Sequence, residues 1–191
     1  MALIQPMTQD DILKLKAVAL YVINKCKSID FIHLFKIIYF ADRKHYATYG
    51  RRIVKDTFCA MQNGPVPSNL YNAVKIARGK EELSGKLMSL KTISDAIVIS
   101  DPSADYVISA KELADREELS LSDIKMLDES INENIRLTFD EVSEKSHDKA
   151  WNVANTKHQN SEMDPHLIAE SGGASEEMMD FIKEIEVCFA N

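Results

Sequence analysis

The segment from Phe31 to Phe40 constrains the fold most, because it is apolar almost all the way round a helix. Asp30 is a suitable N-cap before it, and Gly50 is a suitable stop after Tyr49. A helix that is apolar on nearly every side is stable only when other elements surround it. The sequence therefore predicts a helix from Phe31 to about Tyr49 at the centre of a helical domain.

Capping signals and apolar spacing predict further helices on both sides of this segment. Thr8 with Asp11 and Thr138 with Glu141 have the spacing of capping boxes. Other helices are predicted from Pro67 and Ser68 to about Gly79, after Ser120, and after Gly172-Gly173, with 155–165 as a polar loop. The last helix carries an apolar stripe of Met178, Phe181, Ile182, Ile185 and Phe189.

Two segments depart from helical spacing. Gly64-Pro65-Val66-Pro67 predicts a turn, because each proline restricts the residue before it. The β-branched runs 96–99 and 106–108 predict a hairpin with its loop at 101–105. We therefore expect a mainly α protein with a small β-hairpin (α+β): a compact single-domain helical bundle with a short antiparallel hairpin packed on it.

The charge is distributed unevenly along the chain. Residues 1–111 contain 16 Lys and Arg against 10 Asp and Glu, a balance of +6, whereas residues 112–191 contain 7 against 20, a balance of −13; together they give the net charge of −7. A surface as acidic as that of the second part repels nucleic acid and favours basic protein partners.

The sequence predicts no metal site, cofactor or catalytic residue. Its three cysteines form no CxxC pair, and no two histidines have the HxxxH spacing. The histidines are His33, His45, His147, His158 and His166. The first residues show no targeting signal and no apolar stretch could span a bilayer, so we expect a soluble cytoplasmic protein with no membrane contact.

Asp42 and His147 each allow a catalytic and a structural interpretation. Asp42 lies beside the apolar seam of the central helix, as a general base or as an acceptor for an Arg or for the backbone of the Gly64–Ser68 turn. His147 lies one helical turn before Trp151, so its ring is either catalytic or hydrogen-bonded in the core with Trp151 packed alongside. The structural interpretation is favoured for both, which ranks a hydrolase last.

A basic patch near the end of the central helix supports an alternative function. It consists of Arg43, Lys44, Arg51, Arg52 and Lys55, interleaved with Tyr46 and Tyr49. Cations among aromatic rings can grip phosphates and stack on bases. A nucleic-acid-binding regulator using the patch from Arg43 to Lys55 is therefore the second hypothesis, although charge runs more often form a solvated surface.

Between about residues 10 and 155 the chain resembles the Panacea domain, the SocA-like antitoxin domain. The motifs that carry the resemblance run from Tyr39-Phe40-Ala41-Asp42 to Ser146-His147 and Trp151. The motif residues are Phe40, Asp42, His45, Asp56, Phe58, Gly64, Pro65, Val66, Tyr71, His147 and Trp151. We interpret them as residues that serve the fold.

The resemblance implies an antitoxin rather than an enzyme. Members of this family, many in prophage-like loci, neutralise toxins by direct binding, and one branch delivers its toxin to a cytoplasmic AAA+ protease. The expected partner is therefore a cognate toxin encoded next door, with a protease as a further partner if the adaptor branch applies. The resemblance divides the chain into a Panacea-like domain, 8–155, and a polar linker with a C-terminal amphipathic helix, 156–191.

The C-terminal helix is the expected position of the toxin-binding residues. Its acidic residues Glu176, Glu177, Asp180 and Glu184 lie in the part of the chain with the balance of −13. Toxins that act on RNA, nucleotides or ribosomes often carry basic sites, which an acidic surface could cover. The apolar stripe from Met178 to Phe189 could also dock on a partner, and packing of this stripe against its own bundle is an alternative that is at least as well supported.

Overall fold

The structure, a computed structural model, describes residues 6–100, 106–158 and 160–189, and within this part of the chain it has nine α-helices, five strands and one 3₁₀ turn. The helices are α1 Gln9–Cys26, α2 Phe31–Tyr49, α3 Ser68–Ala77, α4 Lys91–Asp95, α5 Leu121–Asn134, α6 Phe139–Lys145, α7 Lys149–Asn155, α8 Pro165–Ser171 and α9 Glu176–Phe189. The strands are β1 Ile29–Asp30, β2 Phe58–Met61, β3 Gly64–Pro67, β4 Ile97–Ile99 and β5 Val107–Ala110, and the 3₁₀ turn is Gly85–Leu90. The predicted mainly α class is confirmed.

The predicted helix ends are confirmed by their caps. Thr8 and Thr138 each form a capping box, with Asp11 and Glu141 respectively. Asp30 accepts a hydrogen bond from the His33 N–H at 2.9 Å and so begins α2. At the other end of α2 Gly50 takes a left-handed conformation with a φ of 67°. These local signals alone fix the ends of three helices.

Helix α2 is the centre of the molecule, as predicted. It contacts α1, α5, α6, α8, α9 and strand β3. Most of its side chains are buried, including the charged side chains of Lys36 and Asp42. Since burying a charge is costly unless it is paired or neutralised, these two residues need specific partners.

The predicted hairpin is confirmed as β4 paired with β5, in the register Ile97↔Ala110. The sequence did not indicate that β1 pairs with the other edge of β5, which gives an antiparallel sheet in the order β1–β5–β4. Strand β1 has only two residues and no local signal, because its pairing with residues 107–108 depends on the tertiary fold. The predicted loop at 101–105 lies outside the described residues.

The prediction of a turn at Gly64-Pro65-Val66-Pro67 is wrong. These residues form β3, paired antiparallel with β2 in the register Cys59↔Val66, and the turn lies at residues 62–63. Proline has no N–H to donate, so it is tolerated in a strand whose outer edge needs no donor. On the far edge of β2, the Ala60 N–H donates to the Ser161 carbonyl at 2.8 Å.

The polar segment after α7 is more ordered than the sequence indicated. The Met163 N–H donates to the Phe58 carbonyl at 2.9 Å, and the short helix α8, which was not predicted, follows directly. Gly172, which precedes the last predicted helix, lies so close to α2 that a Cβ there would overlap the Arg43 carbonyl. Helix α9 then packs against α2 and α8.

No helix within the described residues has the length and apolar character needed to cross a membrane. The Phe189 side chain, predicted to continue the apolar stripe of α9, lies outside what the structure describes.

Candidate functional site

Asp42 is an acceptor in the core of the protein. Its side chain is fully buried, and it accepts hydrogen bonds from the Ile53 N–H at 2.7 Å and the Val54 N–H at 3.1 Å, and from Arg52 Nε. The predicted acceptor role and the predicted arginine are confirmed, but the backbone partners belong to residues 53–54 rather than to the Gly64–Ser68 segment. With both oxygens held by donors, Asp42 serves to fix the segment that follows α2.

Asp56 has the role that the sequence assigned to Asp42. It is buried and accepts hydrogen bonds from the Asn69 and Leu70 N–H groups, each at 3.0 Å, and from Ser68 Oγ at 3.3 Å. These donors open α3, whose own N-cap residue, Pro67, has no side chain that could accept a bond. Burial raises the pKa of Asp56 above its usual value, and the hydrogen-bond donors offset only part of this rise. The missing cap on α3 was the one sequence signal for this role.

Lys36 is the buried cation of α2, and the sequence reasoning missed it. Its ammonium group donates to the Pro65 carbonyl at 2.8 Å, and burial lowers its pKa to about 7. Gly64 has a φ of 97°, and a Cβ there would overlap Ser146 Oγ and lie 2.9 Å from Lys36 Nζ. Only glycine fits at this point, which explains a motif residue in physical terms.

His147 stacks on Trp151, with the ring centroids 3.7 Å apart and the planes 15° apart. Trp151 Nε1 donates to the Met61 carbonyl at 2.9 Å, which ties α7 to β2. The predicted hydrogen bond of the His147 ring in the core is not found at Nε2, which is buried and has no partner among the described residues. Burial and the neighbouring Lys36 charge lower the pKa of His147.

His45 brings a serine and an aspartate together, but not as a catalytic triad. Its Nε2 lies 3.0 Å from Ser122 Oγ and 3.2 Å from Asp123 Oδ1, while its Nδ1 lies 2.8 Å from the Arg51 carbonyl. In a triad the serine and the aspartate bind different nitrogens of the ring. The His45 side chain is also sealed from solvent, so this cluster joins α2 to α5.

The remaining motif residues lie in or next to the core. Phe40, His45, Phe58, Pro65 and Val66 are buried, and Tyr71 is half-buried.

Between α2, α3 and the β2–β3 hairpin is a cleft of about 550 Å³, lined by Phe31, Tyr71 and Phe139 among others. Within the described residues no cluster of His, Cys, Asp or Glu is arranged to hold a metal ion.

Each cation of the basic patch lies beside a carboxylate. The pairs are Arg43 with Asp148, Lys44 with Glu129, Arg51 with Asp123, Arg52 with Asp42, and Lys55 with Asp11. A phosphate approaching this patch would meet cations that are already neutralised. The geometry therefore weakens the nucleic-acid hypothesis.

Helix α9 presents the predicted acidic residues to solvent. Glu176, Glu177, Asp180 and Glu184 are all exposed, and Asp180 lies 3.2 Å from Lys183 on the same helix. On the opposite side Ile182 is 1% exposed and packs with Tyr46 and Ala169. The helix therefore packs back on its own bundle and still leaves its acidic residues exposed to solvent.

Comparison with known proteins identifies a family whose sequence pattern this chain matches. A family model described as "Antitoxin SocA-like, Panacea domain" matches residues 34–152, which is more than half of the 191-residue chain. The matched range includes every motif residue from Phe40 to Trp151. No curated protein and no solved structure matches the chain.

Proposed function

Because this chain belongs to the SocA-like antitoxin family with a Panacea domain, we propose that it neutralises a partner toxin by binding it through a non-covalent protein–protein interface. Family membership is the observation that carries the proposal. The acidic surface of α9 supports it, since carboxylates facing solvent favour a partner with a basic surface. The proposal needs no catalytic step, cofactor or metal.

The arrangement of charges favours this function over nucleic-acid binding. Four acidic residues of α9 are exposed, whereas the cations at the end of α2 are paired with carboxylates. An exposed carboxylate also raises the rate at which a basic partner is captured. A protein toxin with a basic site is therefore the partner that the surface fits best.

The first experiment is co-expression with the product of the neighbouring gene. We expect that product to stop growth alone, to be harmless together with this protein, and to co-purify with it. If it is harmless alone and does not bind, the antitoxin proposal fails for this pair. If co-expression restores growth and the level of the toxin falls, and this fall requires the cell's AAA+ proteases, then delivery to a protease replaces direct inhibition as the mechanism.

Charge reversal tests the contribution of α9. Replacing Glu176, Glu177, Asp180 and Glu184 with Lys should weaken toxin binding about tenfold or more, because attraction becomes repulsion. The matched control reverses four exposed acids elsewhere, Asp10, Glu82, Asp140 and Glu144, and so has the same net charge. Equal affinities of the two variants by titration calorimetry would remove α9 from the interface.

A further inference from the structure

Three exposed apolar side chains from three different elements lie around the C-terminal end of α2. The Phe181 ring of α9 lies over Gly50, where a Cβ would be 2.7 Å from its Cε1. The Tyr49 ring lies 4.6 Å from the ring of His45, whose Nε2 is 3.0 Å from Ser122 Oγ. Leu121, the residue before Ser122, begins α5. Together with Arg51 we call Tyr49, Leu121 and Phe181 the α2 corner.

Leu121 contributes almost nothing to the fold, and Tyr49 and Phe181 leave a large part of their side chains in solvent. Leu121 is 86% exposed, Phe181 45% and Tyr49 39%. Ser120 and Asp123 form the capping box at the start of α5, so this helix does not require a leucine at position 121. Large apolar side chains exposed in one region of a surface are typical of a site that a partner covers.

Arg51, the charged residue of the α2 corner, is held in place by side chains at the start of α5. Its Nη2 lies 3.1 Å from Ser120 Oγ and 3.0 Å from Ser122 Oγ, and its Nη1 lies 3.4 Å from Asp123 Oδ1. Half of the side chain remains exposed. Because these bonds already fix the guanidinium group, binding a partner would cost little side-chain entropy. Arginine and tyrosine are also the residue types that dominate binding energy at interfaces.

Acidic residues border the corner and indicate what covers it. Glu177 and Glu184 lie one helical turn before and after Phe181, and both are exposed. The cations at the end of α2 are already paired with carboxylates, so the border stays acidic. A complementary surface would have an apolar patch bordered by Lys and Arg.

We propose that Tyr49, Arg51, Leu121 and Phe181 are the central anchors through which this protein binds its toxin, which supplies an apolar patch bordered by basic residues. This inference rests on the proposed antitoxin function. In this interface an apolar centre lies beside the acidic surface of α9, and residues at α2, α5 and α9 all contribute to it.

Leu121→Ser is the sharpest test, because this side chain is almost wholly in solvent and its loss should leave the fold unchanged. The matched control is Leu113→Ser, which changes a leucine that is 83% exposed in the segment between β5 and α5. With the purified product of the neighbouring gene, we expect Leu121→Ser to raise the Kd about tenfold or more, Phe181→Ser to do the same, and Leu113→Ser to leave it unchanged. Circular dichroism and melting curves show whether each variant is folded.

The possible outcomes separate the two proposals. If the wild-type protein does not bind the neighbouring product, the antitoxin proposal fails and the corner inference fails with it. If the wild type binds and Leu121→Ser and Phe181→Ser bind equally well, only the corner inference is overturned. A wild-type dimer in sedimentation that Leu121→Ser converts to a monomer would show that a second copy covers the corner, which also overturns it.

Discussion

The protonation of Lys36 should have a strong influence on stability. Burial lowers its pKa from 10.5 to about 7. In the unfolded chain the amine keeps its proton up to about pH 10.5, so between about pH 7 and 10.5 unfolding takes up a proton. The burial penalty on the free energy of unfolding is therefore complete below about pH 7 and disappears as the pH rises towards 10.5.

We expect Lys36→Met to stabilise the protein near neutral pH and to lose this advantage in base. At about pH 6.5 the variant should be more stable by about 1–4 kcal/mol, because a buried cation is replaced by an apolar side chain of similar volume. At about pH 9.5 the gain should shrink, since the wild-type amine is then neutral and still donates to the Pro65 carbonyl. Urea denaturation at both pH values measures this, with Lys149→Met as an exposed control. A difference independent of pH would contradict the lowered pKa.

Asp56 should be among the residues least tolerant of substitution. Asp56→Ala leaves the opening N–H groups of α3 buried without an acceptor, so the free energy of unfolding should fall by about 3–5 kcal/mol. Asp10→Ala, at an exposed position in the first turn of α1, should cost well under 1 kcal/mol. Chemical denaturation gives both values. Similar losses for the two variants would show that the α3 cap is not important.

At the scale of elements, the Ile182 side chain should determine whether α9 stays packed against the rest of the bundle. Ile182→Ala should remove the main apolar contact of α9 with Tyr46 and Ala169, at a cost of about 2–4 kcal/mol. We expect faster hydrogen exchange in α9 while α2 stays protected, because the end of the chain can open locally. Val187→Ala changes an exposed residue of the same helix and should have no such effect. Loss of protection throughout the molecule would instead make α9 part of one cooperative unit.

The elements that sequence could predict are those with their own local signals. The capping residues and apolar positions that predict α1, α2, α5 and α6 lie within the sequence of each helix itself or directly beside it. Strands β1 and β3 and helix α8 are short, and they form because distant residues pair with or pack against them. The prolines at 65 and 67 indicate a turn when read locally, and only the facing strand Phe58–Met61 makes them part of a hairpin.

The same reasoning explains which parts of the site could be predicted. The exposed acids of α9 follow from composition and helical spacing, so the sequence could name them. The α2 corner needs residues 49, 121 and 181 to lie in one region, and no local pattern records that proximity. Lys36 was missed because a lysine in an apolar helix usually extends to solvent.

At the scale of the whole molecule, the fold brings its positive and negative parts together. The basic residues at the end of α2 pair mostly with carboxylates from the acidic second part, such as Asp148, Glu129 and Asp123. The exposed pair Lys44–Glu129 contributes little to stability, whereas the carboxylates of Asp123 and Asp148 are largely buried. Collectively these pairs remove the positive patch that the sequence displays.

We therefore expect the wild-type protein not to bind nucleic acid at physiological salt. Asp11→Asn with Glu129→Gln and Glu133→Gln releases Lys55 and Lys44 from their carboxylate partners, and this variant should bind labelled single-stranded RNA better, most clearly at low salt. Fluorescence anisotropy compares the two proteins. Tight, steeply salt-dependent binding by the wild type would contradict this prediction and restore the nucleic-acid hypothesis.

The pairing of residues 161–163 with β2 limits how far the chain can be shortened. The family match ends at residue 152, yet the outer edge of β2 is closed by hydrogen bonds to Ser161 and Met163. A fragment cut at the end of the match would expose an unpaired strand edge, and such edges recruit other copies of the same chain. Truncation to the recognisable motif should therefore yield aggregates, which could be mistaken for an inability of the motif to fold.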